Sequence, residues 1–273
     1  MHLQDLGVDL EREDEAEGFL EVNLEQESNT GLIEMKQTGL IQCVIEAVGL
    51  DDGVKKGTFT PSEQRPLVKD SDGKTPSGMF RYRSVVGMII YLSGHNRLDI
   101  AFAVNCCNQY TFRPKIYHEL ALKRLVRYFK HTKDCGLVLD PHYDIFKVYT
   151  YPDADFSGMH GLENPDDPAC TKSCTGFIMK FSDCPVLCIS KLQSETVLST
   201  MDSDIIALAH CCRELFPIIV ITQSLRKEVG LPFRVTSMKV STPVDCAHYA
   251  QNWALIPEDT SWTHHKHKGK KPS

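Results

Sequence analysis

The stretch Phe146-Lys-Val-Tyr-Thr-Tyr-Pro-Asp-Ala-Asp155 decides the fold. Aromatic and β-branched residues crowd its first six positions, and Pro152 and Asp153 then interrupt them. A run of that composition, closed by turn formers, predicts a strand with an acid at its end. Thr175–Phe181 and Pro185–Ser190 have the same character and predict two more strands. At Ser199–Arg213 the period becomes helical, with Ser199 or Thr200 as N-cap and Asp202 in the first turn. An oxygen there accepts from a free helix N–H, and an acid suits the positive end of the helix. Phe216–Val229 continues as helix after a break at Pro217, and Lys239–Val244 predicts a fourth strand. The order β-β-β-α-β opens an α/β (α+β) domain with a mixed sheet.

Upstream the periodicity is mostly helical. Thr38–Gly49 places Leu40, Ile41, Val44, Ile45 and Val48 on one face, and Gly49 suits a C-terminal cap. Tyr82–Ser93 and Leu98–Tyr110 predict buried helices joined by Ser93-Gly-His-Asn96. Ile116–His131 predicts an amphipathic helix with Leu122, Leu125, Val126 and Phe129 on one face. Before these, Phe19–Leu24 and Leu32–Met35 predict a hairpin around Asn29-Thr-Gly31. The stretch 51–78 is rich in Pro, Gly, Ser, Asp and Lys and reads as a linker. Five segments result: 1–50, linker 51–78, helical 79–142, α/β 143–255 and a polar tail 256–273.

The 273 residues carry a formal net charge of −6, which taken whole speaks against a nucleic-acid partner. The sign is local, however. Residues 1–36 hold 11 acids against Arg12 and Lys36, a net −9, which leaves +3 for the rest. Seven Lys/Arg and one acid, Glu119, lie between Arg113 and Lys133. Lys123, Arg127 and Lys130 form a stripe there at i, i+4 and i+7, with Arg124 next to it, ordinarily a solvated face and alternatively a phosphate-tracking one. No apolar run approaches the ~20 residues of a membrane span, which predicts no membrane association. The start is acidic rather than basic then apolar, so the reading is an intracellular chain, cytoplasmic or nuclear, not a secreted one. Eleven cysteines, an odd number, fit reduced thiols. Cys170/Cys174 and Cys184/Cys188 are spaced C-x3-C, looser than zinc knuckles, and read as small buried hydrophobes.

Three acids stand at positions suited to chemistry. Asp153 follows the first strand of the α/β segment, Asp204 lies one turn into its helix, and Asp245 ends its fourth strand. Converging carboxylates hold hard cations such as Mg²⁺, and paired ions stabilise both oxygens in phosphodiester hydrolysis. Asp at strand ends and in first turns is also plain capping chemistry, and spacing alone favours that reading.

The same residues carry a resemblance. Tyr82-Arg-Ser-Val-Val-Gly-Met-Ile-Ile-Tyr-Leu92 is similar to the YRSLVGSLLYL segment of copia-type LTR retrotransposon Pol polyproteins. Phe19-Leu-Glu-Val22 resembles a strand near the end of that family's reverse-transcriptase palm, and Arg97–Val104 resembles its RPDIAFAV. Leu122–Leu137 resembles KRVLRYLKGTKDYGL, and Tyr151–Gly158 resembles YSDADWAG, where the family's ribonuclease H domain begins. Lys172-Ser-Cys-Thr-Gly176, Ser190-Lys-Leu-Gln193 and Ser199–Leu208 resemble KSTSG, SKKQ and STTEAEYIAL. The motifs keep the family's order over roughly residues 19–250.

The resemblance implies a palm edge, a thumb/connection segment and a ribonuclease H-like domain within a larger Pol polyprotein. It implies Asp153, Asp204 and Asp245 as catalytic and Mg²⁺-binding acids, and an RNA–DNA hybrid as partner. With a hybrid as partner, the charge of the basic helix makes Lys123, Arg124, Arg127 and Lys130 the candidate nucleic-acid-binding residues. This sequence departs from the family at several places. The YVDD polymerase motif is absent, Asp204 stands for the helix Glu, and Cys246 follows Asp245 where the family has Asn. The expectation is a truncated ribonuclease H domain, impaired in catalysis, with an active hybrid-cleaving enzyme as the alternative.

Overall fold

A computed structural model describes residues 22–50, 57–63, 66–140, 148–164, 166–181, 184–228, 230 and 238–240. Strands β1 (Asn23–Gln26) and β2 (Ile33–Lys36) form the expected hairpin, and Phe19, Leu20 and Glu21 of the predicted first strand lie outside the described residues. Gly31 at φ 72° and the bond from its N–H to the Glu27 carbonyl (2.8 Å) close the turn. A third strand, β3 (Leu137–Leu139), pairs antiparallel with β2. Gly136 precedes it because a Cβ there would collide with the Met35 carbonyl on β2.

Four helices build one apolar core: α1 (Thr38–Ala47), α2 (Tyr82–His95), α3 (Ala101–Asn108) and α4 (Ile116–His131). Their inward stripes fall at helical spacing: Ile41, Val44 and Ile45; Val85, Val86, Ile89 and Leu92; Leu122, Leu125, Val126 and Phe129. Gly49 ends α1 at φ 70°, with Leu50 N–H on the Ile45 carbonyl and Gly49 N–H on the Glu46 carbonyl. That left-handed residue is the expected cap. A single 3-10 turn, Leu98–Ile100, leads into α3.

The second half is a four-stranded mixed sheet. Strands β4 (Val148–Asp155), β5 (Cys174–Phe181), β6 (Cys184–Leu192) and β7 (Met238–Val240) take the order β6-β5-β4-β7. Neighbours are antiparallel except β4 and β7, which run parallel. The first strand thus lies inside the sheet, with its hairpin partners on one side and a late parallel strand on the other. The architecture is the expected one, a helical segment followed by a mixed α/β sheet.

Helix α5 (Thr200–Glu228) packs on this sheet through Ser203, Ala207, Cys211 and Leu215. It runs unbroken across Pro217, where the sequence predicts a break. Proline removes one rung of the ladder without removing the apolar residues on either side. Undivided, the 29-residue helix is long and apolar enough to cross a membrane by length and composition. Met201, Ile205, Phe216, Val220, Ile221 and Leu225 are exposed along it.

The described part of 57–78 lies against α4 and is not a free tether. Tyr110 Oη donates to the Leu67 carbonyl (2.7 Å), and Ile116 N–H donates to the Lys74 carbonyl (3.1 Å). His118 Nε2 donates to the Val68 carbonyl (2.7 Å), and Glu119 Oε2 accepts from Ser77 N–H (2.9 Å).

Candidate functional site

The pleat of β4 sorts its side chains. Val148, Thr150 and Pro152 are buried, and Val148 packs with Leu215 of α5. Thr150 is buried on the same side. Alternation therefore turns Tyr151, Asp153 and Asp155 to the opposite face. Asp153 stands across from Gly176 of β5, and a Cβ at Gly176 would meet only the Ile189 carbonyl oxygen, at 3.9 Å. The glycine thus leaves the flank of Asp153 open. Asp153 Oδ1 accepts from Ala154 N–H (2.9 Å).

Asp155 escapes the sequence reading as a site residue, yet it shares the face of Asp153. Partial desolvation holds its carboxyl above the usual carboxylate range, although the residue as a whole is exposed. Gly158 sits so close to that carboxylate that any side chain at 158 would displace it. The signal was present as the second acid of Asp153-Ala-Asp155, two positions on and so on the same side of a strand.

The start of α5 is fixed by residues that the motifs single out. Ser199 caps it: Asp202 N–H donates to Ser199 Oγ (3.1 Å), and Ser199 Oγ donates to Asp202 Oδ2 (2.7 Å). Buried Gln193 reaches from the end of β6 and donates to the Ser203 carbonyl and to Thr175 Oγ1, both at 3.0 Å. Its N–H donates to the Ser173 carbonyl (2.8 Å). The Lys172–Gly176 and Ser190–Gln193 segments therefore join helix to sheet. Asp204 follows Ser203 on the flank of the buried stripe and is half-buried.

Asp245 lies outside the described residues. Among the described residues, no three His, Cys, Asp or Glu side chains stand together as a metal site. Asp153 and Asp204 supply hard oxygens of the kind Mg²⁺ takes, but Asp153 turns to the face of β4 opposite the one α5 covers, so the described residues do not assemble the shared site implied for the three acids. Among the described residues the donors fit in kind and fall short in number.

The basic stripe of α4 is partly committed within the chain. Lys123, Arg124, Arg127 and Lys130 are each half-buried. Arg124 donates to Thr60 Oγ1 (2.8 Å) and lies 3.8 Å from the Glu63 carboxylate. Lys130 Nζ donates to the Leu50 carbonyl (2.9 Å). Lys123 Nζ touches Met79 Sδ (3.6 Å) and lies 5.7 Å from the centre of the Phe80 ring. Arg127 Nε is buried with no hydrogen-bond partner among the described residues.

No family model matches the chain, and no solved structure does. Curated relatives do match. The chain is 28% identical over 193 residues to the retrovirus-related Pol polyprotein from transposon RE2 of Arabidopsis thaliana, covering 71% of this chain and 13% of that protein. It is 33% identical over 134 residues to the corresponding polyprotein from transposon TNT 1-94 of Nicotiana tabacum, covering 49% of this chain and 9% of that protein. It is also 32% identical over 133 residues to secreted RxLR effector protein 161 of Plasmopara viticola, covering 49% of this chain and 87% of that protein. The chain thus spans a small fraction of the polyproteins it matches. Motif order and these likenesses agree: the chain is similar, over part of their length, to copia-type retrovirus-related Pol polyproteins.

Proposed function

We propose that this chain is a segment of the reverse transcriptase/ribonuclease H region whose hydrolytic site is impaired, and that it binds RNA–DNA hybrid weakly. The observation carrying this reading is Asp204, a half-buried acid on the flank of α5 where the family has Glu. One methylene less withdraws the carboxylate by about 1.5 Å. Misplacement of about 1 Å can cost about 10²-fold in rate. Weak binding is supported by the stripe on α4, whose Arg124 and Lys130 already have partners within the chain.

A second reading keeps activity. It is favoured by the retained Asp153 and the bare Gly176 beside it. In that reading Asp153, Asp204 and Asp245 hold Mg²⁺, which supplies charge for the attacking and departing oxygens. Both readings place the chain inside the cell, in cytoplasm or nucleus, in keeping with the free cysteines among the described residues.

The test is cleavage of a labelled RNA–DNA hybrid in Mg²⁺. The first reading expects no cleavage beyond that of Asp153→Asn. Cleavage abolished by Asp153→Asn establishes the second.

A further inference from the structure

The chain crosses the basic side of α4 in residues 57–63, and its polar contacts centre on Arg124, one of the cations a nucleic acid would need. Thr58 Oγ1 donates to the Arg124 carbonyl (3.2 Å), and Thr60 Oγ1 accepts from the Arg124 guanidinium (2.8 Å). Glu63 places its carboxylate 3.8 Å from the same guanidinium. Phe59 meets the His131 ring edge-on at 4.8 Å, and Gly57 lies against the His131 side chain too closely for any Cβ.

These are phosphate-like contacts. A guanidinium takes a carboxylate or a phosphate through the same forked donors, so Glu63 occupies the place a backbone phosphate would take. The strap is also lightly held. Phe59 is 72% exposed, and the Glu63 side chain is 59% exposed. An exposed ion pair of that kind is weak, and segments held by few buried contacts open first.

We propose that residues 57–63 are an autoinhibitory strap that masks the phosphate-binding face of α4 and is displaced by the nucleic-acid backbone. This rests on the hybrid binding proposed above. The strap sets the strength of that binding: a duplex engages Arg124 only by replacing Thr60 and Glu63. Part of the intrinsic affinity is therefore lost to opening the strap.

The experiment is fluorescence anisotropy with a labelled RNA–DNA hybrid at low and moderate salt. It compares the chain, Thr60→Val/Glu63→Gln, and Glu195→Gln. The last makes the same charge change at an exposed site away from the strap. The strap variant should bind about tenfold tighter, the loss of one hydrogen bond and one weak ion pair, while Glu195→Gln changes little. Amide exchange in 57–63 should quicken when hybrid is bound. Equal affinity for all three proteins, or slower exchange in 57–63 on binding, overturns the strap and leaves hybrid binding standing. Absence of binding by both the chain and the strap variant at low salt overturns hybrid binding and the strap with it.

Discussion

Replacing Asp99 by Asn should destabilise the helical half more than any other single polar change there. Arg97 is 2% exposed and Asp99 20% exposed, on either side of Leu98. The guanidinium grips the carboxylate twice, Nε to Oδ1 at 3.0 Å and Nη2 to Oδ2 at 2.8 Å. Tyr128 Oη adds a third bond to Oδ2 (2.7 Å). Arg97 also donates to the Thr132 carbonyl (3.1 Å) and Thr132 Oγ1 (2.8 Å), tying the 3-10 turn to the end of α4. Its guanidinium lies 5.1 Å from the centre of the Phe129 ring. Burial opposes charge here, yet Arg97 and the two hydrogen bonds it makes hold the Asp99 carboxyl below the usual range. Asn keeps one acceptor and turns an NH₂ toward a buried cation. Breaking a buried pair from one side costs about 3–5 kcal/mol, because the other charge is left uncompensated. That is a large share of the ~5–15 kcal/mol that holds a domain together. Urea unfolding followed by circular dichroism at pH 7 should show the midpoint fall by roughly 1–2 M. Because the folded acid is the stronger one, its contribution is complete above the unfolded value near 3.9 and disappears as pH falls through the folded value. Asp99→Asn should lose that acid-side decline. Arg97→Met/Asp99→Leu should recover much of the loss, since it leaves no unpaired charge. A cost under about 1 kcal/mol for Asp99→Asn would refute the reasoning from burial.

Other outcomes follow from single contacts. His118 accepts Lys115 N–H on Nδ1 (2.8 Å), donates from Nε2 to Val68, stacks on Tyr110 and has its pKa lowered by burial. The unfolded chain then binds the proton more readily, so this stability is complete above the unfolded value near 6.5 and is lost as pH falls below it. Hydrogen exchange at Lys115 and Ile116 should therefore be faster at pH 5.5 than at 7.5 relative to α2, a difference absent in His118→Phe. Gly136→Ala forces a Cβ against the Met35 carbonyl and should cost about 1–3 kcal/mol by thermal melting. Gln193→Ala removes the side-chain link from the end of β6 to the Ser203 carbonyl and the Thr175 hydroxyl, so exchange protection at the start of α5 should drop by about 1–3 kcal/mol.

The elements that are legible in the sequence are those whose signal is local. The stripes of α1, α2 and α4 and the cap at Gly49 depend on residues within a few positions of one another. The order of β4, β5, β6 and α5 is legible for the same reason. What escapes is held by distant partners. Leu137–Leu139 is too short to announce itself and becomes β3 only by pairing with β2. The stretch 57–78 has a linker's composition, but its hydrogen bonds reach residues 110–124, beyond any local pattern. Pro217 marks a break locally, and α5 crosses it. The positions of Asp153 and Asp204 were readable from their motifs. Their faces were not, because those depend on which side of the sheet α5 covers.

An impaired hydrolytic site leaves a rate signature in hybrid cleavage. The chain, Asp153→Asn and Asp204→Glu would be incubated with labelled RNA–DNA hybrid in Mg²⁺. The chain should cleave no faster than Asp153→Asn, and Asp204→Glu, which restores the longer acid, should raise the rate above both. Cleavage by the unaltered chain that Asp153→Asn abolishes would contradict that impairment.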